Sequence, residues 1–281
     1  MTDERLRALE ARLNAIAAAH TGTCTWSLTD LVSGGHIGRD ENLEMPPASL
    51  AKVPILVTLY RAADGGHVRL DERIRYEEGH RSPGSGVLAR LSPGVEMTVR
   101  DAAMLMIIIS DNSATNMCLD LVGIDAVNAE MERHGLRKTR LFRRWGEWSG
   151  EGPRGRNITT AADMTALLSL IARHACVTPE ADEDMLRILR RQDYRHELSA
   201  ELPWNELNTL GDDPKAAWVA EKGGADRGGV RAGGSIFKGP TGYFAMSAFC
   251  EGGTGPGTGR NSEGNATLGR LGRAAWDALA G

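Results

Sequence analysis

Apolar positions recur along this chain at two different spacings, and the changes between them divide it into three stretches. In residues 1–16, MTDERLRALEARLNAI, the side chains of Leu6, Leu9, Leu13 and Ile16 fall on one face of a helix among charges. Cys24, Trp26 and Leu28 then alternate with Thr25, Ser27 and Thr29, the two-residue period of a strand. Ser33-Gly34-Gly35 supplies a turn before residues 36–40, which predicts a second strand beside the first.

From Ser49 to about Gln192 the period becomes helical. Thr98 with Asp101, and Thr160 with Asp163, are spaced as capping boxes, and Thr178 places a cap before Pro179 at a first helical position. Residues 102–109 are apolar on every face, which predicts a helix running through the centre of a helical subdomain. Beyond Leu210 strands return at 216–222, 231–237 and 243–250, joined by Gly-rich turns that include Gly239-Pro240-Thr241-Gly242 and imply antiparallel pairing. Residues 252–264 hold too little apolar surface to pack and read as a loop, and Leu268, Leu271, Ala275, Trp276 and Leu279 mark a last helix. The order predicts an α+β fold, an α/β sandwich: an antiparallel sheet of about five strands from residues 1–45 and 211–281, flanked by the terminal helices. Residues 46–210 form an all-helical subdomain, and the cleft between the two is the place for a site.

Composition narrows the function. A chain of 281 residues with 41% hydrophobic and 25% charged side chains can bury a large core, which excludes a disordered segment. Lys and Arg number 33 against 37 Asp and Glu, so there is no cationic surplus for a phosphate backbone, and a small uncharged or anionic partner is expected instead of nucleic acid. Cys24, Cys118, Cys176 and Cys250 lie far apart without a CxxC pair, and the histidines are scattered without HxH or HExxH spacing, so structural thiols, no metal and no cofactor are expected. No apolar run approaches the roughly 20 residues that span a bilayer, and the first helix is too charged for a signal peptide. The expectation is a soluble monomer without a membrane partner, cytoplasmic as written, or periplasmic or secreted if a leader precedes it.

Three short motifs carry candidate chemistry. Ser49-Leu50-Ala51-Lys52 opens an apolar helix, and three residues apart the hydroxyl and the amine share a face. A serine becomes nucleophilic when a neighbouring base takes its proton, and a lysine desolvated at a helix start can serve. The bland alternative is a capping serine and a snorkelling lysine. Ser110-Asp111-Asn112 follows the all-apolar helix, where Asn112 or Ser113 would equally cap a helix at 114–122. Lys222-Gly223-Gly224 ends a predicted strand, where two glycines let a substrate backbone lie against the edge, although a lysine ending an edge strand also guards against aggregation.

Taken in chain order, these three motifs resemble the S-x-x-K, S-D-N and K-T-G set of class A β-lactamases and penicillin-binding proteins. Residues 97–101 leading into 110–116, and Arg231 nine positions after Lys222 with the Gly-Pro-x-Gly turn beyond it, are similar to that family over about residues 24–276. The resemblance implies a β-lactamase/transpeptidase-like fold and a serine hydrolase acting on a small β-lactam. Ser49 would form the acyl-enzyme, Lys52 accept its proton and Ser110 relay a proton to the leaving nitrogen. Asn112, Lys222, Gly223, Gly224 and Arg231 would hold substrate, with the backbone N–H groups of Ser49 and Ala225 as the oxyanion hole. Two departures stand out. Gly223 replaces the family's Thr or Ser, and Arg144-Trp145 is followed by Gly146-Glu147-Trp148-Ser149-Gly150-Glu151 in place of a Glu-x-x-Leu-Asn pattern. Glu147 is then the nearest general base and Glu151 a weaker one. Those departures keep two alternatives open: an esterase or D-alanyl peptidase-like hydrolase, and a penicillin-binding module that keeps its adduct.

Overall fold

The computed structural model describes residues 3–147, 156–208, 210–211, 213, 216–227, 229–255 and 261–281. Helix α1 (Asp3–Ala18) turns Leu9, Leu13 and Ala17 inward, with Leu6 and Ile16 beside them. Strand β1 (Thr23–Asp30) pairs antiparallel with β2 (His36–Arg39), Trp26 opposite Arg39 and Thr29 opposite His36. The chain then crosses into helix α2 (Lys52–Asp64), a short antiparallel pair β3 (Arg73–Arg75) and β4 (Glu96–Thr98), and helices α3 (Val99–Ile108), α4 (Asn112–Val122) and α5 (Ile124–Arg133). Helices α6 (Ala161–Ala172) and α7 (Pro179–Arg190) follow, and the chain closes with β5 (Trp218–Ala225), β6 (Arg231–Lys238), β7 (Tyr243–Glu251) and α8 (Glu263–Leu279).

The sheet has the order β2-β1-β7-β6-β5 with antiparallel neighbours, so the early hairpin joins the late strands and β5 lies at an edge. Its two faces belong to different apolar clusters. Trp26, Leu28, Val219, Phe237 and Phe244 pack with α1 and α8, whereas Trp218, Ala220, Ala232, Ile236 and Phe249 pack with α2, α3, α6 and α7. At about 25 cal/mol per Å² of apolar surface, this two-sided burial is the main force holding the sheet.

Several elements depart from the sequence expectation for physical reasons. Thr25 and Ser27 do not face solvent as strand alternation suggests, because α6 covers that side and the Thr165 hydroxyl donates to the Ser27 carbonyl at 3.0 Å. The β3–β4 pair interrupts a stretch expected to be helical. Helix α3 is less enclosed than its composition implies, with Met104, Leu105 and Ile108 half-buried. The Thr98–Asp101 capping box forms in full. Thr160 caps α6, but the Asp163 carboxylate accepts from Lys138 N and the Thr139 hydroxyl instead of closing a box. Strand β5 runs three residues past Lys222, which places the Lys-Gly-Gly motif inside the ladder opposite Gly234, Gly233 and Ala232. Lys222 is 2% exposed and so is not a solvent-facing edge guard.

Candidate active site

Ser49 lies in a 3₁₀ turn, Ala48–Ala51, that packs on β5 and β6 and runs directly into α2. The approach is close. A Cβ on Gly224 would stand 2.6 Å from Ser49 N and 3.0 Å from Leu50 N, so only glycine lets the strand lie against this turn. Ala48 just before the serine has φ +45°, a left-handed backbone that favours glycine and costs about 1–3 kcal/mol elsewhere.

One turn of helix beyond Ser49, the Lys52 side chain is fully buried and its Nζ donates to three acceptors: Ser110 O at 2.6 Å, Asn112 Oδ1 at 2.8 Å and Ser110 Oγ at 3.0 Å. Burial holds this amine well below the usual lysine range, and the positive charge of Lys222 pushes the same way, with Asp111 opposing. Ser110 reaches Lys52 because its own backbone is left-handed, φ +55°, between the end of α3 and the start of α4. Neither Asn112 nor Ser113 caps α4. Asp111 does: its Oδ1 accepts from Ala114 N at 2.9 Å and its Oδ2 from Val87 N at 2.6 Å and Leu88 N at 2.9 Å. With the cap supplied by its neighbour, Asn112 turns inward, its Nδ2 donating to Pro83 O at 2.8 Å while its Oδ1 meets Lys52.

Lys222 stands on the same side of β5 as Gly224, and its Nζ donates to Gly223 O at 2.7 Å. Its charge is felt at Lys52, so the motifs at Ser49, Ser110 and Lys222 converge on one end of the sheet edge. Ala225, the exposed last residue of β5, follows Gly224 directly. Burial also lowers the Lys222 amine, against the pull of Glu197 and Glu221, and burial pushes the Glu221 carboxyl up to about 7.

Two predicted residues, Arg231 and Glu147, lie elsewhere. The Arg231 side chain is on the opposite face of the sheet, where its Nε donates to Ser262 Oγ at 3.1 Å and its Nη1 to Val230 O at 2.6 Å, so it packs beneath the start of α8, on the side away from Ser49. Strand alternation is the reason: Arg231 pairs with Ala225, and Gly223 faces the same way. Glu147 is exposed and its carboxylate accepts from Arg144 N at 3.3 Å, within its own loop. Among the described residues no carboxylate hydrogen-bonds the Lys52 amine; Glu151 lies outside them, as do residues 256–260 of the expected Gly-rich loop.

Two side chains left without a role by the sequence, Trp145 and Asn116, complete the picture. The Trp145 ring lies 5.3 Å from Lys52 Nζ, a cation–π cover, and Asn116 fixes it by donating to Trp145 O at 2.9 Å and accepting from Trp145 N at 3.1 Å. Nothing in the local sequence marks that contact, because it depends on α4 meeting a loop 29 residues away. Among the described residues there is no cluster of potential metal ligands, and no helix is long and apolar enough to cross a membrane.

A family profile described as "Beta-lactamase enzyme family" matches residues 8–279. Beta-lactamase L2 of Stenotrophomonas maltophilia is 30% identical over 161 residues, 56% of this chain and 52% of that protein. The D-alanyl-D-alanine carboxypeptidase DacF of Bacillus subtilis (strain 168) is 24% identical over 157 residues, 53% of this chain and 39% of that protein. The chain thus spans about half the length, or less, of these curated relatives. Among solved structures, a β-lactamase from Sphaerobacter thermophilus DSM 20745 superposes with a TM-score of 0.83 at 28% identity, covering 97% of each chain. A point mutant of PBP-A, solved as an acyl-enzyme complex with penicillin G, superposes with a TM-score of 0.83 at 26% identity over 97% of this chain and 96% of that one.

Proposed function

The chain belongs to the beta-lactamase enzyme family, and from that membership and the geometry around Lys52 we propose a serine hydrolase that opens β-lactams through an acyl-Ser49 intermediate. The observation that carries the reading is the buried Lys52 amine, one helical turn from Ser49 and bonded to the Ser110 hydroxyl.

Three acceptors around one amine suit a protonated lysine. Losing a proton leaves two donors and a lone pair, and burial together with Lys222 lowers the cost of that loss. In the proposed step Ser49 Oγ gives its proton to neutral Lys52 as the Oγ–carbonyl bond forms. The ring C–N bond then breaks as the nitrogen takes the Ser110 hydroxyl proton, and Lys52 returns a proton to Ser110 Oγ. Backbone N–H groups of Ser49 and Ala225 would meet the developing oxyanion, each worth roughly 3 kcal/mol. Asn112 and Lys222 would orient the substrate. One chain supplies every group named, so a monomer suffices, and the substrate is a small molecule.

The turned-away Glu147 favours a slow second half: with no carboxylate at Lys52 among the described residues, the water that must cleave the ester lacks an assigned base, and deacylation limits turnover. Intact mass spectrometry after brief exposure to a penicillin tests the reading. A stoichiometric adduct that maps to Ser49 and is absent in Ser49→Ala supports it; an unmodified wild-type chain with no product overturns it.

A further inference from the structure

Cys24 and Cys250 are cross-strand partners in β1 and β7, and both are free thiols. Residues directly opposed in an antiparallel ladder have Cα atoms about 4.5 or 5.5 Å apart, depending on the rung, and their side chains point to the same face. A disulfide needs a Cα separation of about 4.4–6.8 Å, so either kind of rung lies inside the window. The register alone therefore brings these two thiols within bonding reach without a shift of the backbone.

The shared face is the one packed on α1 and α8, where Cys24 is 6% exposed and Cys250 is fully buried. Cys118 and Cys176 belong to the apolar cluster on the other side of the sheet and cannot reach them. The rung is next to last: Thr23 opposite Glu251 ends the ladder, so fraying of that one pair uncovers the Cys24 thiol. Its place in the topology gives the pair its interest. The sheet draws strands from both ends of the chain, and β1 beside β7 is the junction between the early and the late ones, with the helical subdomain inserted between them in sequence.

We propose that Cys24 and Cys250 form a modification site, converted by a disulfide-bearing oxidant into a cross-strand disulfide that staples the early hairpin to the late strands. The Cys24 thiolate, the less buried of the two, attacks one sulfur of the oxidant, releases a thiol and is left as a mixed disulfide. The Cys250 thiolate then attacks the Cys24 sulfur and expels the second thiol. Two cysteine protons and two electrons pass to the oxidant, so one disulfide is reduced for the one formed. The Cys250 thiol is pushed well above its usual range by the adjoining Cys24 thiol and by burial, with Arg231 opposing from the next strand. The second step is therefore slow in the folded chain and quickens as pH rises. The site lies on the face of the sheet away from Ser49 and does not depend on the acylation reading.

The test incubates the full chain with oxidised glutathione at mildly alkaline pH and, in parallel, refolds it from denaturant in the same buffer. Free thiols are then counted by alkylation, and a non-reducing peptide map is read. The expected result is loss of two of the four thiols and a cross-linked peptide pair joining Cys24 to Cys250. Because the bond closes a loop holding most of the chain, the melting temperature is expected to rise by roughly 10 °C and to return to its starting value with dithiothreitol. Cys24→Ala and Cys250→Ala should each lose the oxidant-dependent rise, whatever their own starting stability. Four free thiols after both treatments, or a link through Cys118 or Cys176, overturns the site. A Cys24–Cys250 link that leaves the melting temperature unmoved overturns the staple.

Discussion

The two walls around the Lys52 amine are built to different standards. On one, Ser49, Lys52, Ser110 and Asn112 are held by a helix start, a left-handed backbone residue and an Asp111 carboxylate that accepts from three backbone N–H groups. On the other, Arg143 to Trp145 are half-buried and tied to α4 by the Asn116–Trp145 pair and the Arg144–Asp120 ion pair at 2.7 Å, whereas Gly146 and Glu147 are exposed and Glu147 satisfies its own neighbours. In the proposed reaction, forming an acyl-enzyme and releasing it are separate demands on the sequence, and the groups assigned to the first are those fixed by these contacts. Electrostatic preorganisation of that kind is where most catalytic power originates.

Variants that break the ordered wall should give the largest effects. Lys52→Met is expected to slow Ser49 acylation by at least about 100-fold, read as the rate of adduct appearance. In the wild type that rate should climb as pH rises through the depressed lysine range, since only the neutral amine accepts a proton, and the Met variant should lose that dependence. Asp111→Ala leaves three backbone donors without their acceptor and should cost about 3 kcal/mol in a denaturant titration, with acylation slowed because Ser110 and Asn112 lose their anchor. Glu221 makes stability depend on pH. Its folded value, about 7 against the usual 4.5, means the folded chain binds more protons between those limits, so stability falls as pH rises across that window. Glu221→Gln should flatten the fall by up to about 3 kcal/mol. The smallest effect is expected on the loose wall: Glu147→Gln should change kcat by less than about threefold, and a loss of 100-fold or more would return that residue to the site.

What could be recognised from sequence was local. The hydroxyl–amine pair at Ser49 and Lys52 follows from a three-residue spacing, and the strands follow from alternation and glycine turns. The sheet's membership also followed, since early and late strands had no other partners. Alternation misled where a strand is covered on both sides, as at Thr25 and Ser27, and Arg231 looked like a cleft residue because nothing in its own neighbourhood tells which face it takes. The cap expected at Asn112 or Ser113 is supplied by Asp111, whose carboxylate is also held by Val87 and Leu88 more than twenty residues upstream. The Arg144-Trp145 pair could be read from the sequence, but the cover that Trp145 gives Lys52 could not, because it joins distant segments.

Ser49 is proposed to be acylated quickly and released slowly. The most direct measurement is a millisecond-to-minute time course of intact mass after mixing the full chain with a chromogenic β-lactam, with released product followed in parallel. A burst of one equivalent of ring opening, read as the colour change and held as a full-occupancy adduct on Ser49, is expected before product is released in a slower steady state. Steady turnover from the first millisecond with no accumulating adduct would contradict it.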